Sequence, residues 1–221
     1  MAEITVEFSA LLFDMDGVLV SSIGSVLRSW RKWARHYRLP NADEVTIPHG
    51  VRAVDIMKQL KPDIDPVEGL QLIEDIEVVD TADIEVLRGV KPLLESLPHE
   101  RWAIVTSATR RLLLGRLEAA GLPIPDRIIS GDIVERGKPD PEPYRRGAEL
   151  LGAEPSGCLV FEDAPTGVQA GVAAACRVVG VLGTHSEQEL REAGAMWIVE
   201  SLARVSAQVR GTRIAVTVSP V

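Results

Sequence analysis

The sequence predicts an α/β fold: a doubly wound parallel sheet with an inserted helical cap domain. Three observations predict it. Short, almost wholly apolar runs recur along the chain, and such runs suit strands buried on both faces of a sheet. Helical patterns with suitable start and stop residues alternate with them, which implies right-handed crossovers and parallel pairing. Residues 22–87 break that rhythm with three successive helical patterns and no convincing strand. The chain therefore divides into an α/β core of residues 1–21 and 88–221 and a helical cap of residues 22–87. Hinges are expected near 20–23 and 85–90.

The strand candidates, in order, are "FSALLFD", "RWAIVTS", "DRIIS", "GCLVFED", "CRVVGV" and "AMWIVE". The C-terminal "RIAVTVSPV" reads as one more strand, pairing at a sheet edge. Core helices are expected over "TRRLLLGRLEAAGL", "DPEPYRRGAELLGAEP" and "APTGVQAGVAAA", with Thr109, Asp140 and Asp163 or their neighbours as N-caps and Gly121 and Gly152 as stops. In the cap, Val26, Trp30, Trp33 and Tyr37 fall on one helical face and are read as packing. "GVRAVDIMKQL" and "DPVEGLQLIEDIEVVDTAD" give the second and third cap helices, the latter weakened by Gly69. Arg28, Arg31, Lys32, Arg35 and Arg38 cluster around the first cap helix as a solvated face.

At 221 residues the chain can bury a full-sized core. With 24 Lys+Arg against 32 Asp+Glu the formal charge is −8, which disfavours a nucleic-acid binder. No apolar stretch is long enough to span a bilayer and residues 1–10 carry no basic n-region, so a cytoplasmic protein is expected. Cys158 and Cys176 lack zinc-site spacing and read as buried free thiols. A monomer or small homo-oligomer with no membrane or nucleic-acid partner follows as the expectation.

Ligands of open α/β sheets bind beyond the carboxyl ends of the strands. The first strand ends in Asp14-Met15-Asp16-Gly17, the second in Thr106-Ser107 and the fourth in Glu162-Asp163, while Lys138 lies in the loop after the third. A parallel sheet brings all four groups to one edge. Asp14, Glu162 and Asp163, with the backbone carbonyl of Asp16, suit a hard divalent cation such as Mg²⁺. Lys138 adds positive charge for a phosphoryl group and a nearby carboxylate. Thr106 or Ser107 offers a hydroxyl to a phosphate oxygen, helped by backbone N–H groups around Gly17. Asp14 is then placed to attack phosphorus as a nucleophile, and Asp16 to protonate the leaving oxygen and later to activate water.

"DMDGVL", a strand-end "VTS", "GKPDPEPY" and "VFEDAPTGVQAG" occur in that order, and together they resemble the haloacid dehalogenase superfamily. The resemblance covers roughly residues 8–200, including the cap. It implies a haloacid-dehalogenase-like Rossmannoid core and Mg²⁺-dependent phosphomonoester hydrolysis through an aspartyl-phosphate. It matches Asp14 to the nucleophile, Asp16 to the acid/base, Thr106 or Ser107 to the phosphate-binding hydroxyl, Lys138 to the family lysine, and Glu162 and Asp163 to the metal-site acids. More narrowly the chain is similar to sugar phosphatases, a group acting on glycerol-3-phosphate, 2-deoxyglucose-6-phosphate and hexitol phosphates. That likeness implies a small phosphorylated sugar or polyol as substrate, with His49, Gly50 and Arg52 of the cap contacting its organic part.

Two departures stand out. Ser21 replaces an acid often found in "DGVLVDS", and is expected still to cap the first cap helix. Related β-phosphoglucomutases carry a histidine early in that helix, where this chain has Val26. The alternatives are a phosphomutase and a phosphate-binding module without turnover. Taken alone, Asp-x-Asp-Gly is more often a turn, Glu162-Asp163 a helix cap and Lys138 a loop lysine. Their joint order raises them above those readings. His36, His99 and His185 are expected to be surface or packing residues.

Overall fold

The computed structural model describes residues 2–221. After β1 (Ile4–Phe8), β2 (Ala10–Phe13) leads into a tight turn and β3 (Val20–Ser21). The helices α1 (Ile23–His36), α2 (Ala53–Leu60) and α3 (Pro66–Val79) follow, and β4 (Glu85–Val86) returns the chain. The remainder alternates: α4 (Val90–Glu95), β5 (Trp102–Val105), α5 (Arg110–Ala119), β6 (Ile128–Ile129), α6 (Glu142–Leu150), β7 (Cys158–Glu162), α7 (Pro165–Ala173), β8 (Arg177–Val181), α8 (Glu187–Glu192) and β9 (Trp197–Val199). It closes on β10 (Val205–Arg210) and β11 (Arg213–Val218).

Six strands form a parallel sheet in the order β6-β5-β2-β7-β8-β9. The order reverses at β2, since the chain first builds outward through β5 and β6 and then crosses to β7. The crevice at such a switch point is where ligands of open α/β sheets sit. Alternation along β2 explains why its run is wholly apolar: Leu11 and Phe13 enter one core, with α4 and α5, and Ala10 and Leu12 enter the other, with α6, α7 and α8. Phe13 stacks on Phe161 at 4.8 Å between ring centroids and meets the edge of Trp102 at 6.0 Å. Those aromatic contacts lock the register of the three central strands.

The C-terminal strand does not join the edge of the parallel sheet. β11 instead lies between β1 and β10 in a separate antiparallel sheet whose apolar side covers the first core. Chain direction is the reason: the β10–β11 hairpin supplies an antiparallel partner at once. Thr109 caps α5 through Leu112 N–H, and Gly121 and Gly152 adopt φ +61°, where a side chain is disfavoured. Pro141 and Ala164, the neighbours of Asp140 and Asp163, hold the N-cap positions of α6 and α7, and Asp140 Oδ1 accepts from Glu142 N–H at 2.9 Å. Ser22 rather than Ser21 holds that of α1, without a side-chain cap bond. Among the described residues no helix is long and apolar enough to cross a membrane. Cys158 and Cys176 are buried and free.

Helices α1, α2 and α3 enclose their own apolar cluster around Trp30, Trp33, Ile56, Met57 and Ile73. Gly69, which weakened the sequence pattern of α3, is a packing requirement. A Cβ there would stand 2.6 Å from Ile64 Cδ1 and 2.9 Å from Met57 Sδ, and its carbonyl accepts from Trp33 Nε1 at 3.0 Å. The chain crossings to and from these helices run side by side as a two-stranded ribbon, Val20 opposite Val86 and Ser21 opposite Glu85. Three basic residues of α1 are partnered: Arg28 forks across Asp80 and Asp83, Lys32 meets Asp80, and Arg35 meets Asp43. Trp33→Ala removes both the packing and the Gly69 hydrogen bond. It is expected to lower stability by about 3–5 kcal/mol in urea unfolding, whereas a loss below about 1 kcal/mol would contradict this assignment of the helical cluster's core.

Candidate active site

The carboxyl ends of β5, β2 and β7 place one row of residues at the sheet edge. Phe13 pairs with Ile104 on one side and Phe161 on the other, so the next residues, Val105, Asp14 and Glu162, stand abreast. Lys138 reads that row with all three of its N–H groups. Its Nζ donates to Asp14 Oδ1 at 2.7 Å, Glu162 Oε1 at 2.6 Å and the Val105 carbonyl at 3.0 Å. The lysine side chain is fully buried and lies over the Tyr144 ring at 5.0 Å. Burial acts to lower its pKa, but Asp14 and Glu162 more than reverse this and hold it well above the usual lysine range.

Glu162 has every acceptor direction filled. Oε1 accepts from Lys138 and from Tyr144 Oη at 2.7 Å; Oε2 accepts from the N–H groups of Asp163 and Ala164 at the start of α7. A Cβ on Gly167 would come within 1.8 Å of Oε1, so that glycine is what lets the acid lie against the helix end. Glu162, rather than Asp163, thus satisfies the donors opening α7. Glu162 also holds Lys138, while its carboxylate stays grouped with those of Asp14 and Asp163.

Asp14 is buried, and burial pushes its carboxyl up to about 7, with Lys138 opposing and Glu162 and Asp16 adding to the rise. Asp163 is raised well above the ordinary range by burial and by the charges of Glu162 and Asp14. Oxygens of Asp14, Glu162 and Asp163 all lie within 4.8 Å of one another. Three such carboxylates resist joint ionisation unless a cation joins them, and an all-oxygen, mostly carboxylate set fits a hard divalent ion. Gly17 permits the approach. Its φ is +80°, and a Cβ would stand 2.0 Å from Asp163 Oδ2. Thr184 donates to Asp163, and His185 Nδ1 lies 3.1 Å from the Asp163 carbonyl.

A pocket opens above this floor and reaches between the sheet edge and the helices α1–α3. Asp14, Asp16, Gly17, Thr106, Ser107 and Asp163 line its base; Val26, Trp30, Ile56, Leu70 and Ile73 line its roof. The two candidate hydroxyls differ. Ser107 Oγ donates its proton to the Gly50 carbonyl at 2.6 Å, in the loop before α2. Thr106 Oγ1 accepts from Ala108 N–H at 3.1 Å, which leaves its own proton for another acceptor. His49 lines the pocket with its ring against His185, at 5.8 Å between centroids, and burial lowers its pKa. Gly50, at φ +76°, would clash with Thr166 if it carried a Cβ.

Arg52 does not line the pocket. Its guanidinium pairs with Asp55 at 2.7 Å and donates to the Val134 carbonyl at 2.9 Å, tying α2 to the loop after β6. Arg52 therefore docks α2 rather than facing a ligand, since Asp55 three residues on captures it locally. Sequence reasoning missed Tyr144, Thr184, His185 as a site neighbour, and the pair Arg116 and Glu77. Tyr144 alone had a signal, six residues beyond Lys138 inside "GKPDPEPY".

Known proteins agree with this architecture. Residues 8–175 match the family model described as "Hydrolase: haloacid dehalogenase-like hydrolase". Hexitol phosphatase A of Escherichia coli is 38% identical over 186 residues, 82% of this chain and 86% of that protein. Glycerol-1-phosphate phosphohydrolase 2 of Saccharomyces cerevisiae is 34% identical over 90% of this chain and 84% of its own length. The crystal structure of a hydrolase from Pseudomonas syringae superposes with a TM-score of 0.78 at 26% identity, covering 88% of this chain and 94% of that one. The chain belongs to the haloacid dehalogenase-like hydrolases.

Proposed function

We propose that this protein is a Mg²⁺-dependent phosphatase of small sugar or polyol phosphates, acting through an aspartyl-phosphate on Asp14, with α1–α3 as a mobile cap. The observation that carries the reading is the charge arrangement of the pocket floor. Asp14 Oδ1 is pinned by Lys138, and Oδ2 has no hydrogen-bond partner among the described residues. Asp14, Asp163 and the Asp16 carbonyl would hold the cation, with Glu162 adding charge behind them. When bound, the cation supplies the positive charge that draws in and orients a phosphate dianion.

Asp14 Oδ2 attacks phosphorus in line. The bond to the organic oxygen breaks with its electron pair moving to that oxygen, which Asp16 protonates. Asp16 then takes a proton from the water that attacks the phosphorus, returning the Asp14 carboxylate and releasing phosphate. Thr106 donates its free hydroxyl proton to a phosphoryl oxygen, while Ser107 braces the cap loop at Gly50. Lys138 keeps Asp14 ionised and aligned from below. The apolar roof excludes bulk water when the cap sits on the core, and reopening releases product. His49 contacts the organic part of the substrate.

The substrate class rests on relatives named for a hexitol and for glycerol-1-phosphate, both small polyols. The position where related mutases carry a cap histidine is Val26 here, which lines the pocket and has no proton to transfer. The direct test is inorganic phosphate release from hexitol, glycerol and sugar phosphates. EDTA and Asp14→Asn are each expected to lower kcat by about 1000-fold or more; release indifferent to both would overturn the reading. A second comparison separates the hydroxyls. Thr106→Ala is expected to lose about 100-fold in kcat/KM and Ser107→Ala less than about 10-fold, and the reverse ranking would contradict these two roles.

A further inference from the structure

Asp16 has both carboxylate oxygens gripped. Oδ1 accepts from the Ser22 hydroxyl at 2.6 Å, and Oδ2 from Arg116 Nη1 at 2.5 Å. Ser22 is the N-cap residue of α1, yet its side chain makes no cap bond and turns to Asp16 instead. Arg116 belongs to α5 of the core and is only 5% exposed, on the helix face that looks into the pocket with Leu112. Its Nη2 donates to Glu77 Oε2 at 2.9 Å, in the last turn of α3. Glu77 is itself buried, and burial pushes its carboxyl up to about 7 against the pull of Arg116.

A buried arginine between two acids loses hydration, and packing alone gives α5 no reason to keep it. The guanidinium carries its donors in a rigid fork, so one arginine serving two carboxylates fixes where each stands relative to the other. The remaining polar contacts between α3 and α5 lie outside this chain of contacts. Thr109 bonds Glu74, and Arg111 meets Asp75 at 2.6 Å between half-exposed side chains. Of these contacts Arg116–Glu77 alone continues to Asp16.

We infer that Arg116 is a positioning residue for Asp16, and that Glu77 makes this positioning conditional on α3 lying against α5. The acid/base is then set only when the cap is docked, and proton transfer to a leaving group is confined to a pocket closed to water. The inference rests on the phosphatase reading and names a further determinant of it.

The leaving group distinguishes this role from a structural one. A polyol leaves as a poor alkoxide whose oxygen must be protonated, whereas p-nitrophenolate is a stable anion that departs without a proton. The parameter to read is kcat/KM, which covers steps through departure of the leaving group and excludes the later attack of water. It is measured for glycerol phosphate or a hexitol phosphate and for p-nitrophenyl phosphate, with wild type, Arg116→Met, Arg116→Lys and Glu77→Gln, each checked for folding by circular dichroism. Arg116→Met is expected to lose about 100-fold on the polyol phosphate, Glu77→Gln about 10-fold, and both less than about 3-fold on the aryl phosphate. Arg116→Lys regains part of the loss, because an ammonium still pairs with Asp16 but lacks the planar fork that fixes the spacing of the two acids. If Arg116→Met fails to fold, Glu77→Gln, which keeps shape and an acceptor, carries the same comparison. Parallel loss on both substrates, or undiminished turnover of the polyol phosphate, would overturn the inference alone. A wild type that releases phosphate from neither would overturn the phosphatase reading with it.

Discussion

The site depends on one ammonium group buried beneath a floor of carboxylates. Isolated charges resist transfer out of water, at several kcal/mol per ion even after relaxation. Asp14, Glu162 and Asp163 could not share so small a volume without compensation. Lys138 provides the part of it that belongs to the chain, and its three donors meet three residues abreast at the ends of β5, β2 and β7. The strand register locked by Phe13, Phe161 and Trp102 is thereby converted into the geometry of a charged cluster. Slipping β2 by one residue would turn Asp14 to the other face and leave Lys138 with unmatched partners.

Two glycines set how closely the acids approach. Gly17 admits Asp163 and Gly167 admits Glu162, each at a distance where any Cβ would collide. Tyr144 completes the enclosure of Glu162. The opposite side of the pocket comes from α1, α2, α3 and the loop at His49. Contacts that tie the two sides together are polar and specific: Ser107 to Gly50, Thr166 to the His49 carbonyl, Arg52 to Val134 and Arg116 to Glu77. Such a seam, polar at its contacts and apolar in its roof, is suited to opening and reforming, because its groups find water partners when parted.

Much of this was legible in the sequence because the parallel strands are buried on both faces, which leaves continuous apolar runs ending at acids. β1 and β10 were not singled out, although Ile4, Val6 and Phe8 and then Val205, Ala207 and Val209 alternate with polar residues. Half-buried alternation over five or six residues is a weaker signal than a wholly apolar run. Arg52 misled because a basic residue after His-Gly reads as a ligand contact, while Asp55 and the Val134 carbonyl hold it outside the pocket. Glu162 could not be told from Asp163 by order alone. Their division of labour depends on which side chain turns toward α7, and that is decided by Gly167. Arg116 and Glu77 left no trace, since each is one charged residue among several in its helix and their meeting is purely tertiary.

The central claim is that Asp14 Oδ2 becomes covalently phosphorylated during turnover. Quenching the enzyme in the steady state with borohydride, followed by peptide mass spectrometry, reads this directly, because an acyl phosphate is reduced where a free carboxylate is not. The account predicts homoserine at position 14, dependent on both substrate and Mg²⁺. Phosphate release at full rate with Asp14 unmodified would contradict it, and would place the attacking group on water rather than on the chain.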